Sequence, residues 1–68
     1  MTDGIHHPSD ILRLALEKEK DALKFYTDMA AKATDPSIRS TCQEMADEER
    51  EHIRKLEFEL DRFAQPDN

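Results

Sequence analysis

Apolar residues recur at alternating three- and four-residue steps along two stretches of this chain. The first stretch carries Leu12, Ala15, Leu16, Ala22, Leu23, Tyr26, Ala30 and Ala33. The second carries Ile38, Cys42, Met45, Ile53, Leu56, Leu60 and Phe63. This period predicts two amphipathic helices, over residues 10–33 and from 36 to 63 or 64. Glu17, Lys24, Asp28, Glu44, Arg54 and Asp61 fall on the opposite, solvent faces. Ser9 is the expected N-cap of the first helix, with Asp10 adding negative charge to its first turn. Between the helices, Asp35 can cap and Pro36 suits the first position of a new helix. The domain reading is therefore a tail at 1–9, a helical hairpin at 10–64 and a second tail at 65–68.

A two-helix hairpin has one seam and cannot cover both stripes. Two hairpins can, as a four-helix bundle. The expected fold is all-α: an antiparallel hairpin that forms a homodimer. At 68 residues a single core rarely supplies more than about 3–5 kcal/mol, which also calls for self-association or metal. Leu14, Phe25 and Phe58 lie off the stripes and hint at a further interface.

Both stripes are interrupted by polar residues. Glu19 sits inside the first; Glu49 and His52 sit inside the second. A bare carboxylate in an apolar seam costs several kcal/mol unless it is paired, protonated or bound to a cation. The Glu49-x-x-His52 spacing places both side chains on one helix face, one turn apart. Counted from the Thr34–Asp35 turn, Glu19 lies about 15 residues before it, Glu49 about 15 after it and His52 about 18 after it. In an antiparallel hairpin the three are level, roughly 22–27 Å from the turn. A two-fold axis at that height would bring the partner's same residues to one point, giving four carboxylates and two imidazoles. That is the ligand inventory of a di-iron carboxylate bundle. Hard oxygen with borderline nitrogen suits Fe or Mn, and Zn is also compatible. Tyr26, two turns along the same face from Glu19, is a candidate hydrogen-bond partner of the ligands, and equally a plain core aromatic.

Other readings of these residues stand beside that one. Glu19 could snorkel outward, His52 could be a hydrogen-bonded core histidine, and Glu49 could pair with a Lys or Arg. Met29 and Met45 read as packing, Cys42 as a small core residue and His6-His7 as a pair ahead of the first helix. Glu48, at the stripe's edge, could guide incoming cations. The net charge of −6 argues against a nucleic-acid partner, which needs a basic face. Acidity suits cation attraction and solubility alike. A lone cysteine fits a reducing compartment, and no stretch has the length of a signal or membrane segment. The expectation is a soluble, cytoplasmic protein.

The stretch Leu16-Glu17-Lys18-Glu19-Lys20-Asp21-Ala22-Leu23-Lys24-Phe25-Tyr26 and the later Met45-Ala46-Asp47-Glu48-Glu49-Arg50-Glu51-His52 resemble the two ligand helices of the rubrerythrin-like branch of the ferritin superfamily. The likeness covers about residues 9–63. Rubrerythrin-like domains carry two such hairpins in one chain, whereas this sequence carries one. That arrangement is similar to the encapsulated ferritins, whose di-iron site forms between two identical hairpins that assemble into larger rings. The resemblance implies that Glu19, Glu49 and His52 are iron ligands, two Fe per dimer, with Tyr26 beside them. It also implies a larger ring-like oligomer, and an encapsulin shell or an external reductant as partner. The last residues show no obvious shell-targeting segment, and no Cys-x-x-Cys pair for a rubredoxin module is present.

The leading expectation is a ferroxidase serving iron storage or detoxification. The alternatives are a rubrerythrin-like detoxification of peroxide or O2 on the same site, a metal-free helical assembly module, and a fragment of a longer family member.

Overall fold

The computed structural model describes residues 7–64. Two antiparallel helices, α1 (Pro8–Lys32) and α2 (Pro36–Ala64), pack along their length as a hairpin. The turn between them is short and closed by side chains. Ala33 caps α1, its N–H donating to the Met29 carbonyl at 2.9 Å. Its own carbonyl, left over at the helix end, accepts both Nε and Nη2 of Arg39, at 3.2 and 2.9 Å. Asp35 caps α2 as expected: its Oδ1 accepts the Ser37 and Ile38 backbone N–H groups at 2.8 and 3.0 Å.

The other end differs from expectation by two residues. α1 starts at Pro8, not at residue 10, and its N-cap is His7 instead of Ser9. Proline is pre-set for the first helical position, so the helical path begins there and the cap moves one residue earlier. The expected tail therefore ends before Pro8.

The molecule is one helix-layer thick, 52 × 33 × 12 Å. Among the described residues only Ser9 and Ala46 are buried, and no large side chain is fully enclosed. Ala46 is 2% exposed. It stands beside the expected stripe on α2, not within it, so the buried face of α2 is rotated toward it. Ile38 and Phe63, expected to face inward, are exposed, because they sit on the flank of the hairpin. Leu14, Phe25 and Phe58 are exposed as their off-stripe positions imply, and Ile11 joins them. The outer faces are laced with ion pairs one turn apart, including Lys24–Asp28 (2.8 Å), Arg50–Asp47 (2.7 Å) and Arg62–Glu59 (2.7 Å). Such pairs each contribute only a few tenths of a kcal/mol. No described helix is long and apolar enough to cross a membrane.

Candidate metal centre

Glu19 comes from the middle of α1, and Glu49 and His52 from the middle of α2. The hairpin brings them level, as the count from the turn requires. His52 Nδ1 lies 3.3 Å from Glu19 Oε1 and 3.4 Å from Glu49 Oε1. One ligand atom from each of the three lies within 4.8 Å of the others. Among the described residues this is the group of His, Cys, Asp and Glu donors that could hold a metal ion.

Burial grades across the three. The Glu49 side chain is 14% exposed, Glu19 30% and His52 52%. The site thus has a closed floor against the helix–helix contact and an open side on the flank. His52 is the edge of the site, half exposed, rather than the buried histidine its stripe position suggested. Ala46 lies three positions before Glu49 on the same helix.

The two carboxyls shift each other's proton affinity in opposite directions. The Glu49 carboxyl is pushed above its usual range, first by the hydrogen bond with Glu19, then by burial and by the charge of Glu19. The Glu19 carboxyl is pulled down, first by that same hydrogen bond, against the opposing effect of burial, with His52 adding to the pull. Pairing with Lys or Arg does not relieve the pair: among the described residues neither carboxylate forms such a bridge. Glu49 Oε1 is excluded from solvent and, with His52 Nδ1 3.4 Å away, has no partner of good hydrogen-bond geometry. An acceptor left in that state costs about 1–3 kcal/mol, more when charged. A cation removes that cost. The donor set and the orphaned oxygen both fit a hard or borderline divalent ion.

Other sequence candidates fall outside the group. The Tyr26 ring packs edge-on against Phe25, centroids 5.2 Å apart, and no hydrogen bond joins its hydroxyl to Glu19, Glu49 or His52. Cys42 is half-buried about 10 Å along α2 from Glu49, toward the turn. Met29 and Met45 are half-buried packing residues, and Glu48 is solvent-exposed. His7 serves as a helix cap; His6 lies outside the described residues. The feature that sequence reasoning missed is Ala46. An alanine flanking Met45 carries no hydrophobic bulk to mark it, and only its place three residues before Glu49 could have.

Searches of curated proteins and of solved structures each found no significant match. The family model described as Rubrerythrin matches residues 10–68. That match takes in both helices and all three clustered residues, so the chain belongs to the rubrerythrin family of ferritin-like proteins.

Proposed function

We propose that this chain is an iron protein of ferroxidase type, and that Glu19, Glu49 and His52 are its ligands. The observation that carries the reading is the Glu49 Oε1 atom, buried, without a partner of good hydrogen-bond geometry and surrounded by two further donors. Family membership favours iron over other ions that the donor set would accept. The open side of the site and the single helix-layer support a second copy of the hairpin as its cover. That copy would contribute the same three residues, giving a shared site for two iron ions.

Fe(II) is the substrate in this reading, and each ion gives up one electron to O2 or peroxide. The residues have separable tasks. Glu49, at the closed floor, must be ionised to bind a cation, and its raised proton affinity opposes that as pH falls. Glu19 is held ionised at lower pH and offers the first charged oxygen. Both carboxylates attract Fe(III) more strongly than Fe(II) by Coulomb's law, which favours oxidation. His52 presents Nδ1 to the same point from the solvent side. Covering that side with apolar surface would exclude water and strengthen each of these interactions.

Anaerobic Fe(II) titration, followed by native mass and then by absorbance on admitting air, tests the proposal. The expected result is about one iron per chain, a dimer or larger ring stabilised by it, and a ferric oxo band after oxygen. Absence of stoichiometric binding with an unchanged assembly would overturn it. Rubrerythrin membership also favours a second reading, peroxide detoxification with an external reductant. Oxidation faster with hydrogen peroxide than with O2 would select that reading. A metal-free assembly module requires that Glu19→Ala and His52→Ala fold as well as or better than the parent, since unpaired charge is gone. The iron reading expects each variant to lose at least about 100-fold in metal affinity.

A further inference from the structure

We propose that His7 is a pH-sensitive clasp, fastening the free end of α1 to the free end of α2 while its imidazole is neutral. Nδ1 of His7 accepts the Ser9 backbone N–H at 3.1 Å and meets the Ser9 hydroxyl at 2.8 Å. The His7 backbone is extended (φ −122°, ψ 141°), and its carbonyl accepts the Asp10 N–H at 2.9 Å. This is a complete N-cap in which an imidazole nitrogen replaces the usual oxygen. The same ring stands edge-on to Phe63 near the end of α2, centroids 5.6 Å apart. One side chain thus does two things: it satisfies the first turn of α1 and closes the open end of the hairpin.

The cap depends on the Nδ1 lone pair. A proton there sets N–H against N–H and puts positive charge at the positive pole of α1. The Ser9 hydroxyl, which also accepts from Arg13 at 3.4 Å, can turn to receive the imidazolium. The Ser9 backbone N–H has no such alternative, and Ser9 is buried. Charged groups of both signs surround the ring. Asp10 and Arg13 stand on α1, paired at 3.6 Å. Glu57 and Asp61 of α2 line the cavity of about 450 Å³ that also borders His7. Arg62 lies over the Phe63 ring, 5.4 Å from its centroid. These two α2 carboxylates share that cavity with the ring. His7 is solvent-exposed, so protons reach it without any opening of the fold. Neither helix contributes a metal-site residue to this end, and the clasp does not depend on the iron reading.

NMR on the full metal-free chain tests it. The His7 ring carbons, the Ser9 amide, the Cα shifts of residues 9–11 and the Phe63 ring protons are followed from pH 8 to pH 5. In the parent, the Ser9 amide, the Cα shifts and the Phe63 protons should all move with the His7 midpoint, the Cα shifts toward coil values. In His7→Asn, whose amide oxygen caps without titrating, the Ser9 amide and the Cα shifts should hold their helical values throughout. In His7→Ala they should be frayed at every pH. A parent whose Ser9 and Phe63 signals do not follow the His7 ring would overturn the proposal. A His7→Asn chain with the parent's pH dependence would do the same.

Discussion

Glu19 and Glu49 shift each other's proton affinity in opposite directions, so cation binding at this site should depend on pH. Glu49 is raised and Glu19 lowered by the same contact, so their effects on folding oppose each other. Glu49 stabilises the empty hairpin below the carboxylate's unfolded value, and that contribution is lost as pH rises through its raised folded value. Glu19 stabilises above the unfolded value, and that contribution is lost as pH falls through its lowered one. Glu49 holds its proton to higher pH than an isolated glutamate does. Metal affinity should therefore climb as pH rises through the Glu49 range, with about one proton released per site. Calorimetry in buffers of different ionisation enthalpy measures that proton. Glu49→Gln should abolish its release and the metal binding together, while the empty variant no longer loses stability over the window above the ordinary Glu range. These three residues were legible in sequence because each breaks an apolar period at the same height. The exposure of His52 was not legible: a stripe gives a face, but not which edge of that face meets the neighbouring helix.

At the scale of elements, the hairpin owes its definition to its turn more than to its seam. Asp35 accepts two backbone N–H groups and Arg39 covers the last carbonyl of α1 with two of its own. Asp35→Ala should cost about 1 kcal/mol. For a domain of this size that is a fall of roughly 4–8 °C in thermal midpoint, read by circular dichroism at fixed protein concentration. Asp35→Asn, which still offers an oxygen, should recover most of it. The helices and this turn could be read from Asp35-Pro36 and from the three-and-four spacing, which are local signals. The start of α1 was misread because a serine before an acidic residue looks like a cap, whereas Pro8 had already set the path. Ala46 escaped notice for a different reason: which residue is buried deepest depends on the mutual rotation of two helices, and neither sequence alone records it.

At the scale of the whole molecule, a pair of helices with one buried alanine and one buried serine holds too little apolar surface to be independently robust. Its thermal midpoint should rise with protein concentration, as for any chain stabilised by its own copy. Adding Fe(II) under anaerobic conditions should raise it further, and a chelator should reverse the gain. Sedimentation across a hundredfold range of concentration would check the same equilibrium without heat. A midpoint independent of both concentration and metal would leave the hairpin as a self-sufficient monomer. The thinness of the molecule, 12 Å in its shortest direction, carries a kinetic corollary. If two such sheets must meet to enclose iron, turnover per milligram is not a constant of the protein. Under dilution it should fall away as a bimolecular process does, and a cell could regulate the chemistry through abundance alone.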